Sequence, residues 1–392
     1  MSDKTFIKCT ITNTLREGDY TCVMEVGSGT VKVNLILDTG SSVLAVHSHK
    51  YNPSNDSHAE FTHLAQSISY NSGAWSGAII KTSLKIASSK KAQLDSAPIA
   101  AVDSTEGDMF GEADGILGLA YQNLDTAYLM PEQTWPQSNT PKPLTKGVKT
   151  TITPFYTQLI KQNSLENKFA FVTQRSRISH ALDDPKSDPL NSGYFIMGAC
   201  EQCTDLYQGE FKSIKIVHDK FYNTNLLSVQ VGNTKPINIP SVEWSQQTSS
   251  NSIVDSGTNS ILLSPEVFQA LVTKISSSNS AEKGSTLSLG VAMMNELDIK
   301  SWPDLTFTFE GPEEETSLTL TPETYWQENN PAAGVAKCVL KSTGGPTVNI
   351  LGLPLLNNHF TIFDRSASDG LGLIRFAALP NNASAKVNKL QP

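Results

Sequence analysis

One short motif occurs twice in the chain. Residues 36–41 read ILDTGS and residues 253–258 read IVDSGT, so each copy has an apolar pair, an aspartate, a hydroxyl residue, a glycine and a second hydroxyl residue. Each copy is followed downstream by two apolar residues and a glycine, in ADGILGLA (113–120) and in VNILGLPLL (348–356). A single copy is also what a polar turn after a strand looks like. Two copies with matched downstream partners indicate an internal duplication, and hence two related halves.

The remaining pattern favours strands. Most apolar stretches are short, rich in β-branched and aromatic residues, and bounded by Gly, Asn, Asp and Pro. Helical patterns are limited to residues 153–163 and to residues 264–275, where Ser264 can cap the helix and Pro265 occupies its first position. We therefore expect a mainly β fold.

Two polar, Pro-containing segments, 122–152 and 176–192, are predicted to be loops. The second separates the two copies of the motif. It divides the chain into a predicted N-terminal lobe (residues 1–185) and a predicted C-terminal lobe (residues 186–392), each carrying one copy.

Composition and charge exclude several classes of function. Hydrophobic residues make up 39% of the chain and charged residues 17%, which is typical of a soluble globular protein. The net charge is −8 and Lys and Arg do not cluster, so a nucleic-acid partner is disfavoured. No apolar run is long enough to span a membrane.

The N-terminal sequence lacks the pattern of a secretory signal, and the five cysteines are few and odd in number. Together these features predict a cytoplasmic protein. It would be secreted if the given N-terminus belongs to a processed form.

The repeated motif suggests a pair of aspartates, Asp38 and Asp255. Gly40 and Gly257 permit a tight turn after a buried strand and the close approach of another loop. If the two loops meet, the two carboxylates cannot both ionise easily and share one proton. Such a pair titrates as a unit.

The hydroxyl residues of the motif can hydrogen-bond the carboxylates and link the two loops. Ser41 and Thr258 can donate to the outer carboxylate oxygens, while Thr39 and Ser256 can link the two loops through backbone hydrogen bonds. A pair of this kind can hold a water molecule, with one Asp acting as general base and the other as general acid on a scissile carbonyl. This chemistry needs no metal and no cofactor.

Six segments extend the pattern over nearly the whole chain: LILDTGSS, ISYNSGAWSG, ADGILGLAY, SIVDSGTNS, WPDLTFTFEG and NILGLPLLNNHFTIFDR. In these segments and their order the chain resembles the pepsin-like aspartic proteases. Without a signal and a prosegment, it is similar to the bacterial pepsin homologues called shewasins in particular. The resemblance implies a bilobal β fold with a cleft between pseudo-symmetric lobes, and a monomeric endopeptidase. It also implies acidic activity, inhibition by pepstatin and cleavage of peptides and proteins between bulky hydrophobic residues.

The resemblance also implies a substrate-binding flap, a β-hairpin that carries a tyrosine. Tyr70 stands at that position, with Gly73 at the hairpin turn; from the residues alone, an ordinary strand aromatic is the more common interpretation of Tyr70. The flap and substrate-binding residues implied in this way are Tyr70, Asn71, Ser72 and Trp75, with Ile36 and Phe110 as apolar liners of the pocket for the residue before the scissile bond.

The chain departs from the family pattern at two positions. Ala45 replaces a tryptophan that normally bonds the flap tyrosine, so we expect Tyr70 to bond Trp75 instead or the flap to be looser. Leu353 replaces an aspartate that normally follows the second apolar-apolar-Gly, and there we expect a local structural change without effect on the aspartate pair.

Two other clusters have less specific interpretations. Cys200 and Cys203 form a C-x-x-C, which is interpreted as two thiols in a β-turn, or as a short disulfide in a secreted protein. Four histidines share one polar segment and are interpreted as solvated loop residues rather than as a metal site: His47, His49, His58 and His63.

A function of another class remains open, a catalytically weak pepsin-fold protein that binds peptides or inhibits other enzymes. In such proteins an aspartate or its hydroxyl neighbour is typically replaced, whereas both motifs are intact here. A Ser/His/Asp hydrolase is set aside because the chain has no G-x-S-x-G elbow.

Overall fold

The computed structural model describes residues 5–15, 18–70, 73–107, 109–135, 147–175, 184–241, 250–278, 280–344 and 348–380. Strands predominate, and the described residues divide into two compact units. The first unit draws its residues from 1–11, 21–167 and 196–199, and the second from 12–20, 168–195 and 200–392. The predicted mainly β fold, with two units, is confirmed.

The first unit is built around one extended sheet. In its described residues the sheet order is β10-β9-β5-β6-β7-β4-β8-β3-β2-β1, with the bounds β1 (Phe6–Thr12), β2 (Thr21–Val26), β3 (Val31–Asp38), β4 (Leu44–His47), β5 (Glu60–Tyr70), β6 (Gly73–Ile86), β7 (Gln93–Glu106), β8 (Gly115–Gly118), β9 (Thr126–Leu129) and β10 (Val148–Thr151). Helix α1 (Phe155–Gln162) follows and buries its apolar side, as predicted for residues 153–163.

The remaining strands are β11 (Lys168–Thr173), β12 (Ser192–Gly198), β13 (Gln208–Lys215), β14 (Asn223–Thr224), β15 (Leu226–Val231), β16 (Ile237–Asn238), β17 (Ser252–Val254), β18 (Ile261–Leu263), β19 (Val291–Met293), β20 (Leu305–Phe309), β21 (Thr316–Leu320), β22 (Trp326–Glu328), β23 (Val335–Cys338), β24 (Leu340–Ser342), β25 (Asn349–Leu351), β26 (His359–Asp364) and β27 (Leu373–Ala378). They lie in the orders β12-β11-β26-β27-β13, β14-β17-β25-β18-β24, β16-β15-β20-β21 and β19-β23-β22.

The helices of the second unit are α2 (Pro265–Ser278), α3 (Ala281–Leu289), α4 (Pro322–Tyr325) and α5 (Leu353–Leu356). Helix α2 begins where the sequence predicts: the Ser264 hydroxyl accepts from the Val267 N–H at 3.4 Å and the Ser264 carbonyl accepts from Phe268 at 2.9 Å. The predicted boundary between residues 185 and 186 differs from the observed division. Because β11 pairs with β26, residues 168–195 lie with the second unit.

The strand sequences explain their burial. Strands β20 and β21 alternate buried and exposed residues, and hydroxyl pairs such as Thr306–Thr319 hydrogen-bond across their exposed face. Strand β11, KFAFVT, is buried on both faces. Its Phe169 stacks on Phe363 with ring centroids 5.0 Å apart and contacts Tyr222 edge-on, which forms the aromatic centre of this unit's core.

Both units contain the same arrangement of four strands. In the first, β8 runs parallel to β3 and antiparallel to β4, and β4 runs parallel to β7. In the second, β25 runs parallel to β17 and antiparallel to β18, and β18 runs parallel to β24. The duplication inferred from the sequence is therefore present in the strand pairing.

Candidate active site

The first aspartate, Asp38, ends the buried strand β3, where it lies beside Gly118 of β8. Its carboxylate is buried, with 4% of the residue exposed. The Gly40 N–H donates to Oδ1 at 2.6 Å and the Ser41 hydroxyl donates to Oδ2 at 2.5 Å. Both donors come from the turn that the motif itself encodes.

The second aspartate, Asp255, directly follows β17 and is half-buried. Its own N–H donates to the Leu351 carbonyl at 3.0 Å, which ties the turn to β25. The Gly257 N–H donates to Oδ1 at 2.9 Å and the Thr258 hydroxyl donates to Oδ2 at 2.7 Å.

The two carboxylates therefore have the same set of donors. In each unit one oxygen accepts from a glycine N–H two residues on, and the other accepts from a hydroxyl three residues on. Hydrogen bonds of this kind are charge-assisted when the carboxylate is ionised, and they restrict its orientation. Each unit holds an oriented carboxylate at the end of a rigid, buried strand.

The apolar-apolar-Gly segments support these turns from beside them. A Cβ at Gly118 would collide with the backbone of Ser42 and Val43, and a Cβ at Gly352 would collide with the carbonyls of Thr258 and Ser260. The glycines thus allow the motif loop to pack directly on the neighbouring strand. Both glycines belong to the duplicated pattern in the sequence, but that pattern alone does not place them in the site.

The other two hydroxyl residues of the motifs, Thr39 and Ser256, are buried, with 0% and 2% exposure. Their role in linking the two loops stays a prediction. Ser42, which the sequence analysis did not select, donates from its hydroxyl to the Tyr121 carbonyl at 2.5 Å. A hydroxyl residue next to the motif is the only signal that could have indicated it.

The hairpin of β5 and β6 lies where the flap is predicted. In the backbone register Tyr70 pairs with Gly73 and Ile68 pairs with Trp75, so Ile68 and Trp75 belong to the same face of the hairpin. Gly73 has a φ of 152°, and a Cβ there would collide with the Glu106 carbonyl. Trp75 is buried, and its indole N–H has no hydrogen-bond partner within the described residues. Asn71 and Ser72 lie outside the described residues.

The predicted pocket liners are both buried. Ile36 pairs with Ile116 on β8, and the Phe110 ring packs edge-on against His47 with centroids 4.9 Å apart. Their role as liners stays a prediction.

Ala45 and Leu353, the two departures from the family pattern, are both buried. Ala45 is fully buried on β4, where it pairs with Ile116 and with Ala100 of β7. Leu353 is buried at the start of α5, and its N–H donates to the Thr258 carbonyl at 2.8 Å. The donors to Asp255 are present beside this replacement.

All five cysteines lie in the described residues as buried thiols, with Cys200 and Cys203 at the two ends of a turn closed by a 3.0 Å backbone hydrogen bond. Burial raises the pKa of Cys9 and that of Cys338 to about 12, which keeps both thiols protonated.

The rings of His47 and His49 lie 4.8 Å apart, and His58 Nδ1 lies 3.0 Å from the Ser83 hydroxyl. Within the described ranges no three His, Cys, Asp or Glu side chains gather in a way that could hold a metal ion. A search of the same residues finds no helix with the length and apolar character needed to cross a membrane.

Comparisons with known proteins agree with this geometry. The family model described as "Eukaryotic aspartyl protease" matches residues 19–376. A protein named "Beta-secretase" from Strongylocentrotus purpuratus is 24% identical over 380 residues, which cover 88% of this chain and 64% of that protein. A "Vacuolar aspartic protease" from Candida albicans is 25% identical over 376 residues, covering 90% of this chain and 74% of that protein.

A "Vacuolar protease A" from Aspergillus fumigatus is 25% identical over 364 residues, covering 88% of this chain and 76% of that protein. The chain thus spans less than two thirds of the sea-urchin protein and about three quarters of each fungal one. Because the family model matches almost the whole sequence, from before the first aspartate to beyond the second, this chain belongs to the eukaryotic aspartyl protease family, a family of peptidases.

Proposed function

We propose that the protein is an aspartic endopeptidase in which Asp38 and Asp255 form the catalytic pair. The observation that carries the proposal is the identical donor set on the two carboxylates, each held at the end of a buried strand within the same four-strand arrangement. Membership in the aspartyl protease family supports it.

The reaction follows from two carboxylates that share one proton. The ionised aspartate takes a proton from a water molecule, whose oxygen attacks the scissile carbonyl carbon, while the protonated aspartate gives its proton to the carbonyl oxygen. The tetrahedral diol then collapses: the C–N bond breaks, the amine leaves with the proton that the first aspartate took from water, and one diol hydroxyl returns a proton to the second aspartate, which leaves a carboxylic acid and a pair that again shares one proton. The Gly and hydroxyl donors keep each carboxylate oriented through these transfers.

The neighbouring residues have supporting roles in this proposal. Thr39 and Ser256 link the two loops through their backbones. The flap hairpin closes over the substrate, and the Tyr70 hydroxyl is bonded by the Trp75 indole. Support comes from the hairpin register, in which Trp75 lies opposite Ile68, two positions from Tyr70, and from the Trp75 N–H, which has no hydrogen-bond partner among the described residues.

The substrates in this proposal are peptides and proteins with bulky hydrophobic residues on either side of the cleaved bond. Ile36 and Phe110 line the pocket before that bond, and their burial beside the first catalytic loop supports this assignment. Activity is greatest at acidic pH, because the pair needs one proton to work.

We further propose that the protein acts as a cytoplasmic monomer of the bacterial, shewasin-like type. The five reduced thiols support a reducing compartment. Dispersed charge and an overall net charge of −8 argue against a nucleic-acid partner.

The test is cleavage of a mixed fluorogenic peptide library from pH 3 to 7. The comparison includes Asp38→Asn, Asp255→Asn, added pepstatin and the control Asp95→Asn, which changes an exposed aspartate. We expect acid-favoured cleavage that each catalytic variant and pepstatin reduce by at least about 10³-fold. The control is expected to retain it.

Cleavage that survives both catalytic substitutions would refute the proposal. A folded protein that binds the peptides at every pH but cleaves none would instead be a pepsin-fold binding protein. The intact donor sets on both aspartates favour catalysis over this alternative.

A further inference from the structure

The chain that packs on the first catalytic loop continues to a buried carboxyl group. The Leu119 N–H donates to the Asp38 carbonyl at 2.7 Å, and the Ser42 hydroxyl holds the Tyr121 carbonyl. A single 3-10 turn, Gln122–Leu124, then leads to Asp125. Asp125 is therefore only a few residues from contacts with the Asp38 loop, and it immediately precedes β9.

Asp125 meets the flap strand at Gln66. Gln66 Nε2 donates to Asp125 Oδ1 at 2.7 Å and to the Thr126 carbonyl at 3.2 Å. Both side chains are buried, with exposures of 0% for Gln66 and 1% for Asp125. Gln66 Oε1 has no hydrogen-bond partner within the described residues. Burying a polar pair of this kind costs free energy, so we expect the Gln66–Asp125 pair to have a specific role.

Backbone contacts join the same two strands. The Met130 N–H donates to the His63 carbonyl at 2.7 Å, and the Thr134 hydroxyl donates to the Leu64 carbonyl at 2.7 Å. Strand β9 and the residues after it therefore hold β5 along the segment from His63 to Gln66.

The register connects this contact to the end of strand β5. Alternation along β5 places Gln66 and Ile68 on one face, with Trp75 opposite Ile68. Residue 70, the last of the strand, is four positions from Gln66, about 13 Å along an extended strand. We therefore expect movement of β5 at Gln66 to shift the end of the strand.

The surroundings of the Asp125 carboxyl favour its neutral form. Burial is the largest influence and raises its pKa to about 8, and the hydrogen bond from Gln66 opposes this only in part. The titratable residues on the adjoining strands are Glu60, His63 and Tyr70 on β5, Tyr128 on β9 and Lys149 on β10. The register places Tyr128 and Lys149 on the opposite face of the sheet from Gln66, and Glu60 is ion-paired with Lys81 of β6. An ionised Asp125 would therefore be a buried charge without a paired cation among the described residues.

We propose that the buried Gln66–Asp125 contact positions the flap strand β5 against the start of β9 while Asp125 carries its proton, and that loss of this proton frees the strand. The two side chains are positioning residues for the flap and do not touch the reacting atoms. The inference rests on the proposed function only where it treats the β5–β6 hairpin as the substrate flap.

The first test measures opening of β5 by amide hydrogen exchange between pH 5 and pH 9.5, corrected for the intrinsic exchange rate. The reporter is the Met130 N–H, and the internal control is the Ala87 N–H, which bonds the Val23 carbonyl elsewhere in the same unit. In the wild-type protein we expect Met130 opening to rise toward tenfold per pH unit below about pH 8, because the closed strand holds a proton on Asp125 that the opened strand releases, and to level off above about pH 8, with Ala87 unchanged.

The variant Asp125→Asn provides the matched comparison, because its amide oxygen still accepts from Gln66 but cannot ionise. Opening at Met130 should then be independent of pH. The proposal is overturned if this variant shows the wild-type rise, or if wild-type opening does not change. Exchange requires no peptidase activity, so this result is separate from the outcome for the proposed function.

The second test uses steady-state kinetics at pH 5. Gln66→Met keeps the side-chain volume and removes the amide, so we expect a roughly fivefold higher KM with a smaller change in kcat. Asp125→Asn should stay within about twofold of wild type in both constants. Gln66→Glu should have the wild-type KM at pH 4, where its neutral carboxyl can still donate to Asp125. At pH 7 its KM should be raised, as in Gln66→Met. Equal kinetics for wild type and Gln66→Met, together with unchanged Met130 exchange, would refute a positioning role.

Discussion

Replacing Asp125 with asparagine is expected to stabilise the protein at neutral pH and to leave its stability in acid unchanged. The substitution keeps the size of the side chain and its acceptor for the Gln66 amide. It removes the need to take up a proton on folding, and that need is what makes stability depend on pH at this residue.

The magnitude follows from the burial of the carboxyl. Its pKa rises from 3.8 to about 8, so between these pH values the folded protein binds a proton that the unfolded chain does not. The free energy of unfolding therefore falls as pH rises, by about 1.4 kcal/mol per pH unit. The contribution is fully present below pH 3.8 and lost by about pH 8. At pH 7 the loss is on the order of 4 kcal/mol.

The assay is urea denaturation of wild type and Asp125→Asn at pH 4, 5, 6 and 7, with each transition fitted separately. The difference in free energy of unfolding should be near zero at pH 4 and should grow steadily toward pH 7 in the transition that includes the first unit. Asp95→Asn, at an exposed position, is the control and should run parallel to wild type. Parallel curves for Asp125→Asn as well would show that Asp125 is ionised in the folded protein, and the reasoning would fail.

Three further outcomes are expected. Ser41→Ala and Thr258→Val each remove one charge-assisted hydrogen bond to a carboxylate of the proposed catalytic pair, worth about 1.5–3 kcal/mol, so kcat/KM at the pH optimum should fall about 10- to 100-fold in both. Unequal losses of more than tenfold would contradict equivalent roles. Gly352→Ala should lower the thermal midpoint sharply because its Cβ would collide with two carbonyls, whereas Gly344→Ala has open space and should not. Trp75→Phe removes the indole N–H proposed to bond the flap tyrosine, and KM should rise severalfold; an unchanged KM would exclude that bond.

Much of the fold class and of the site could be predicted because their signals are local. The donors to Asp38 lie two and three residues along the chain, so the hexapeptide contains both the carboxylate and the groups that orient it. The cap of α2 at Ser264 is local in the same way. The duplication was visible because each half repeats these local strings.

The division into units was not predictable from the loop at 176–192. Residues 168–195 lie with the second unit because β11 pairs with β26, nearly two hundred positions away. Strand pairing of this kind depends on which apolar faces pack against one another. The composition of a loop does not predict it.

The sequence by itself determined the two aspartates, their hydroxyl and glycine partners, the β-rich class and the two related halves, because short-range spacing is sufficient for turns and strands. Only the tertiary structure decided that Gln66 meets Asp125, 59 positions away, and that Gly118 packs on Ser42. Both contacts join segments that are far apart in the chain and are brought together by burial in one sheet. Burial of this kind raises the pKa of the Asp125 carboxyl, and the residues that neighbour Asp125 in the sequence do not predict it.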